Sequence, residues 1–317
     1  MTIKNSTSLI SRIAVLMTCH NRRQKTLACL HALAAQELPA NVQLTVYLVD
    51  DGCTDATGAA VRQHFPNVRV LMGDGNLFWC GGMRLAWEEA MKDDYDAYLW
   101  LNDDTILLKG AVDKLISTAR VIRKKEGRDG IIVGSCRDPI TGKHTYGGRV
   151  KRTARAKLPD QLTPPGDDIL PCDTMNGNLV LVPREVVTAV GILSEEFTHA
   201  RGDVDYGLRA KAQGFSLWIA PGYAAECSMN NPPGWTLPEL SISERLKILY
   251  SPKGLPPKEW SIYLKRHAGF FWPFYWLKIY VRVFFPWLWV MTGKSSANID
   301  TVESVEKRRK LTDNRSD

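Results

Sequence analysis

The chain has 317 residues, enough for one large domain or two modest ones. Its apolar share of 44% and charged share of 24% are ordinary for a soluble globular protein. The net charge of +7 lies wholly beyond residue 239, since the first 239 residues carry 27 charges of each sign. That distribution argues against a nucleic-acid groove in the main domain, and no nucleic-acid partner is expected. Seven cysteines show no CxxC spacing, which reads as reduced thiols in a cytosolic protein. The polar first eleven residues hold no apolar core of signal-peptide length, so secretion is not expected.

In chain order, residues 13–17 read as a buried strand ending in the polar cluster Thr18-Cys19-His20-Asn21-Arg22. A helix is expected over 26–38, with Pro39 just beyond it. A second strand over 44–49 ends in Asp50-Asp51-Gly52, and a helix runs from there to about Phe65. A third strand covers 68–72. A glycine-rich turn follows, then a helix over 81–91. The buried run Tyr98–Leu101 stops abruptly at Asn102-Asp103-Asp104, ahead of a helix from about Leu108 to Lys124. This βαβαβαβ alternation predicts a mostly parallel sheet with helices on both faces.

Beyond it the pattern changes. A strand is expected over 131–135, a hairpin over 138–150, and a mobile basic, proline-rich loop over 151–168. A strand over 175–182, helices over 184–190 and 203–213, and a strand over 216–220 complete this part. A short helix over 242–249 and a linker over 252–257 follow. Residues 267–291 then hold 11 of the chain's 29 Phe, Trp and Tyr. The charged residues 298–317 are expected to be disordered. The expected division is a catalytic domain over 1–237, with halves of about 10–135 and 136–237. A C-terminal helical segment over 238–292 and a tail over 293–317 complete it.

Three strand ends share one edge of a parallel sheet, where open α/β sheets place their ligands. Two carboxylates as close as Asp103 and Asp104 repel unless a cation lies between them, and a hard divalent ion with a diphosphate is the usual answer. The competing reading of the same residues is a turn and helix cap. A nucleotide diphosphate needs polar groups, which Thr18, Asn21 and Asp50 or Asp51 supply. It also needs close backbone approach, which Gly73, Gly75, Gly81 and Gly82 allow. Gly73-x-Gly75 as a dinucleotide motif is disfavoured, because it follows the third strand and not the first.

The segment Val49-Asp50-Asp51-Gly52-Cys53-Thr54-Asp55 resembles the VDDGSTD signature of family-2 glycosyltransferases, with Cys53 where serine is usual. Asn102-Asp103-Asp104 stands where that family carries its DxD metal motif, with Asn for the first Asp. Residues 75–84, which include Gly75, Asn76 and Arg84, resemble the loop and helix start before that strand in polysaccharide-cluster members. The resemblance covers about residues 10–230. It implies a GT-A fold, a nucleoside-diphosphate sugar donor, Mg²⁺ or Mn²⁺ and inversion at the anomeric carbon. It implies donor contacts from Thr18, Asn21, Arg22, Asp50, Asp51, Gly75, Asn76, Arg84 and Asp103, and a metal ligand in Asp104.

The resemblance points further to residues 201–209, where the family's Glu-Asp pair is Gly202-Asp203 here, with Asp203 in the position of the general base. An inverting transfer needs one carboxylate to take the acceptor proton. Asp203 and Asp205 sit two apart at a helix start and point to nearly opposite sides, so one of them can face the donor. The competing reading makes both first-turn acids that complement the helix dipole. Arg209 is expected to pair structurally with a carboxylate. Asn176 could bond a sugar, and His20 and His199 are weaker candidates for donor contact.

Residues 268–277 and 283–291 are apolar but separated by Lys278 and Arg282 on one helical face, and Pro273 and Pro286 would kink a single span. A helix lying on an anionic cytoplasmic leaflet is favoured, with Trp272, Trp276, Trp287 and Trp289 at the headgroup boundary. A packed helical hairpin is the alternative. The expected protein is an inverting, metal-dependent glycosyltransferase, peripheral on the inner membrane face, that extends a polyprenyl-diphosphate-linked saccharide. The donor leans to dTDP-rhamnose, with a UDP-sugar as the alternative. A nucleotidyltransferase and a non-catalytic carbohydrate-binding scaffold are the rival readings.

Overall fold

A computed structural model of the chain describes residues 10–153 and 155–288. It divides into two compact units. The first runs to Met229 and takes in Lys265–Gly269; the second holds Asn230–Leu264 and the chain from Phe270.

The first unit opens with β1 (Arg12–Cys19), α1 (Arg23–Ala34), β2 (Gln43–Asp50), α2 (Thr57–His64), β3 (Arg69–Met72), α3 (Phe78–Ala90) and β4 (Ala97–Leu101). It continues with β5 (Ile106–Leu107), α4 (Ala111–Glu126), β6 (Ile131–Arg137), β7 (His144–Tyr146), β8 (Gly148–Val150) and β9 (Gln161–Leu162). Then come β10 (Leu170–Cys172), β11 (Thr174–Met175), β12 (Leu179–Pro183), α5 (Arg184–Val190), α6 (Gly202–Ala212) and β13 (Leu217–Glu226).

The main sheet has the order β10-β13-β6-β12-β4-β1-β2-β3, with β5 on β13 and β7 on β6. β3, β2, β1 and β4 are parallel. β12 is reversed against both β4 and β6. The expected mostly parallel sheet is observed: the four strands of the βαβαβαβ run are parallel, and β12, whose direction the sequence did not specify, is reversed. A reversed strand starts where its neighbour ends, and Leu179 pairs with Leu101. The turn before β12 is thereby delivered to the edge that carries the ends of β1, β2 and β4.

Alternation along β1 builds the core. Ile13, Val15 and Met17 face a cluster with Cys29, Leu30 and Leu33 of α1 and Leu115, Ile116 and Ile122 of α4. Ala14 and Leu16 face the opposite cluster, with Met83, Ala86 and Trp87 of α3 and Tyr206 of α6. Period-two side chains on a strand covered on both faces give this division.

Several expected boundaries shift. α3 begins at Phe78, not at residue 81. The Asp51 carboxylate accepts from the backbone N–H groups of Gly75, Leu77 and Phe78, so donors at the helix start find their partner just past the end of β2. The expected strand over 175–182 is two strands, β11 and β12, broken at Asn176-Gly177-Asn178. The loop over 151–168 contains β9, which pairs with β8.

In the second unit, α7 (Ile242–Tyr250) starts from a capping box between Ser241 and Glu244. α8 (Pro257–His267) and α9 (Trp272–Phe284) follow, the last three residues of α8 belonging to the first unit. Trp276 donates its indole N–H to the Pro257 carbonyl, and the Tyr250 and Tyr280 hydroxyls meet at 3.0 Å. Pro273 occupies the first turn of α9 and Pro286 lies past its end, so both prolines bound the helix and neither kinks it. Lys278 is exposed, whereas Arg282 lies over the Trp235 ring, so the two do not present one basic face. No helix among the described residues is long and apolar enough to cross a membrane. Trp289, Met291 and the tail over 293–317 lie outside the described residues.

Candidate active site

The edge formed by the C-terminal ends of β1, β2 and β4 is built from mutual clasps. At the end of β1, the Asn21 side-chain oxygen accepts from Thr54 N (2.7 Å) and Asp55 N (3.3 Å). His20 Nδ1 lies 2.6 Å from the Asp51 carbonyl. Thr18 packs against Gly82, where a Cβ would collide with its hydroxyl. At the end of β2, Asp50 Oδ1 accepts from Cys53 N at 2.8 Å, and Asp51 holds the 75–78 loop as described above. Gly75 has φ +88° and Gly52 φ +63°, and their backbones touch where no side chain fits. Asn76 is exposed on that loop. Asn21, Phe78 and Arg201 are three of the four described non-glycine residues with positive φ. All three border this edge or the helix start beside it, as strained residues at functional sites commonly do.

At the end of β4, Arg22 bridges the acidic pair. One guanidinium nitrogen reaches Asp104 Oδ2 at 2.8 Å and Asp103 Oδ1 at 3.2 Å. The positive charge that two adjacent carboxylates require is thus supplied by the chain itself. Asp103 is buried, and burial pushes its carboxyl up to about 6 against the lowering pull of Arg22. Its Oδ2 is buried without a hydrogen-bond partner. Asp104 is more open, with 16% of its side chain exposed, and its Oδ1 meets the Cys227 thiol at 3.7 Å. This hard-oxygen donor set fits a divalent cation of the Mg²⁺ or Mn²⁺ type. Asp104 would hold the ion together with donor oxygens and water, and Arg22 would have to yield its Asp104 contact.

The reversed β12 joins this edge to α6. Asn102 N donates to the Asn178 carbonyl at 3.1 Å. Gly177 N donates to Asp203 Oδ2 at 3.0 Å, and Val204 N to Asp203 Oδ1 at 2.7 Å. Trp79 closes the gap: its indole N–H donates to Asn102 Oδ1 at 2.8 Å, and its ring lies against Gly177. Burial raises the Asp203 carboxyl above its ordinary range, opposed by the two backbone N–H groups and by Arg149 and Arg201.

Asp205 behaves oppositely. It is fully buried and paired with Arg209 (2.8 Å), His267 (2.8 Å) and Arg266 (3.2 Å). Burial raises its carboxyl, but these partners together hold it below the usual range. Arg209 also donates to the Val190 and Ile192 carbonyls, a structural pairing. Asp205 anchors the helix inward, and Asp203 is the acid that remains at the edge.

Arg84, expected among the donor contacts, points elsewhere. It donates to the Ser194 and Phe197 carbonyls, both at 2.9 Å, and so fixes the segment that leads into α6.

Residues 14–164 match the family model described as Glycosyl transferase family 2. Among solved structures, the chain is 12% identical to GalNAc-T7 crystallised with UDP, GalNAc and Mn²⁺, with a TM-score of 0.54, covering 77% of this chain and 48% of that one. It is 13% identical to the mannosyltransferase PcManGT from Pyrobaculum calidifontis in complex with GDP-Man and Mn²⁺, with a TM-score of 0.52, covering 95% and 80%. A third is TarS 1–349 of S. aureus in complex with UDP-GlcNAc: 12% identity, TM-score 0.50, covering 78% and 66%. No curated protein matches the sequence significantly. The fold is GT-A. The family match is to residues 14–164, and the likeness to the solved structures is one of fold.

Within the GT-A unit, sequence reasoning missed Trp79, Gly177, Arg149 and Cys227. Trp79 and Gly177 lie in stretches the motifs already marked, but their contact spans about a hundred positions and leaves no local trace. Gly177→Ala would set a Cβ 2.5 Å from the Trp79 ring. Such overpacking costs about 1–3 kcal/mol. A melting point lower by several degrees, with lost turnover from the displaced indole, is the expected result in thermal and kinetic assays.

Proposed function

We propose that the protein is an inverting, metal-dependent glycosyltransferase that moves a sugar from a nucleoside-diphosphate sugar to a saccharide acceptor. The observation that carries this reading is the hydrogen-bonded path from Asp203 through Gly177-Asn178 to Asn102-Asp103-Asp104, which puts a candidate base and a candidate diphosphate site on one sheet edge. Thr18, Asn21, Arg22, Asp50, Asp51, Gly75, Asn76 and Asp103 form the donor side. Asp203 takes the acceptor hydroxyl proton as that oxygen attacks the anomeric carbon. Its raised carboxyl pKa makes it a stronger base than an exposed aspartate. Arg22 offers its guanidinium to the leaving diphosphate. A Mg²⁺ or Mn²⁺ ion bound at Asp104 supplies charge neutralisation of that diphosphate.

In this reading the donor is dTDP-rhamnose or a UDP-sugar. The acceptor is a polyprenyl-diphosphate-linked saccharide of cell-surface polysaccharide synthesis, of O-antigen or capsule type, and the site of action is the cytoplasmic membrane face. Support for the membrane comes from Phe270, Phe274, Leu277 and Trp287, which are 88%, 70%, 56% and 51% exposed. Sedimentation with anionic liposomes tests it: Phe274→Glu should weaken binding roughly ten- to a hundredfold, given roughly 1.5–3 kcal/mol for one buried aromatic. Equal sedimentation of both proteins would remove the membrane from the account. A thermal-shift screen of nucleotide sugars with and without Mn²⁺ tests the donor. Metal-dependent stabilisation by one sugar nucleotide is expected, and none by any of them would count against the reading.

A further inference from the structure

The seven cysteines play no part in the reaction above, yet two of them meet at the donor edge. β1 and β2 are in register with Cys19 opposite Asp50. Gly52 then turns the chain back at φ +63°, and the Cys53 N–H bonds to Asp50. The Cys19 and Cys53 sulfurs lie 3.9 Å apart, and one ligand atom from each of Cys19, Asp50 and Cys53 falls within 4.8 Å of the others. A tetrahedral ion with bonds of about 2.3 Å to sulfur holds two sulfurs roughly 3.8 Å apart. The sulfurs are therefore spaced for a metal, and both cysteines are free thiols. Cys19 and Asp50 are buried, while Cys53 is partly open and gives an ion a way in.

We propose that Cys19, Asp50 and Cys53 form a second metal site, selective for a thiophilic divalent ion of the Zn²⁺ class, and that filling it blocks the donor site. The ion-binding half is independent of the glycosyltransferase reading; the blocking half rests on it. Thiolates select Zn²⁺, Co²⁺ or Cd²⁺ over Mg²⁺ and Mn²⁺, whereas the oxygen set around Asp104 has the opposite preference. As the two sulfur–metal bonds form, each thiol gives its proton to solvent, so two protons are released and nothing is oxidised. The three ligands leave a fourth position for water. Coordination withdraws Asp50 from the donor side. It also pulls on Asn21, whose backbone N–H donates to Cys53 Sγ at 3.1 Å.

Co²⁺ titration of the reduced full-length protein, without donor or Mn²⁺, tests the site. Thiolate-to-cobalt charge-transfer absorption should rise to one ion per chain, be quenched by Zn²⁺, and be absent in Cys53→Ser. Serine is the residue usual at that position in the motif this segment resembles, so the variant should fold. Cys227→Ser, which alters the thiol beside Asp104, should leave the band intact. No band in the wild type, or a band that survives Cys53→Ser, overturns the site. In assays at fixed Mn²⁺, Zn²⁺ should raise the donor KM at least tenfold in the wild type and leave Cys53→Ser unaffected. Equal inhibition of both proteins overturns the blocking role while leaving the site itself to the spectra.

Discussion

Asp203→Asn should lower kcat by about 10²–10⁴-fold, the usual worth of a positioned general base, with donor KM little changed. The amide keeps the shape of the carboxylate and one oxygen. It can still accept from either Gly177 N or Val204 N, which now bond to separate oxygens. Losing the second of these bonds costs about 1–3 kcal/mol, so circular dichroism accompanies the assay to separate chemistry from stability. The wild-type pH profile carries the same information. The base works deprotonated, and burial raises its pKa above the ordinary carboxylate range. Activity should therefore fall on acidification at a pH above that range, and the residual activity of Asp203→Asn should lose the part of the acid limb that Asp203 sets, keeping any part set by Asp103. Asp205 cannot take over the role, since it is fully buried and spent on Arg209, Arg266 and His267. A folded Asp203→Asn protein with near-wild-type turnover would end the assignment.

Asp104→Ala should abolish metal-dependent turnover. Its carboxylate is the more exposed of the pair, with 16% side-chain exposure against 8% for Asp103. The fold should survive, because Arg22 is itself 42% exposed and keeps Asp103 at 3.2 Å. Losing one partly exposed ion pair costs about 1 kcal/mol or less. Turnover measured against Mn²⁺ concentration, with circular dichroism as the folding control, checks this. Unchanged metal-dependent activity would move the ion elsewhere. Asp103→Asn should do less to metal dependence, since that group is buried and its carboxyl is pushed up to about 6.

The strand ends were legible because each is local: a buried run, then a polar cluster at Thr18–Arg22, Asp50-Asp51 or Asn102–Asp104. Period-two and 3.6-residue patterns survive in any window of that length. The reversal of β12 was not legible, because strand direction is set by pairing with β4 and β6 and not by residues 179–183 themselves. Arg22 reaches Asp103 from 81 positions away, a contact that no local pattern marks. The early start of α3 depends on Asp51, a residue just past the end of β2. Arg84 was assigned by motif position, and its carbonyl partners at Ser194 and Phe197 carry no sequence signature. Pro273 was counted as a kink because its register in the helix was unknown; in the first turn it costs nothing. What stayed hidden is in each case a contact between distant segments.

Under the proposed function, this sheet edge breaks the bond between a sugar and a nucleoside diphosphate. Incubation of the full-length protein with Mn²⁺ and the nucleotide sugar that stabilises it, followed by identification of the released phosphate compound, tests this most directly. Free nucleoside diphosphate is the expected product, formed only with a divalent metal and lost in Asp203→Asn and Asp104→Ala when acceptor is present. Release of pyrophosphate, or no release with any donor and acceptor, would contradict it.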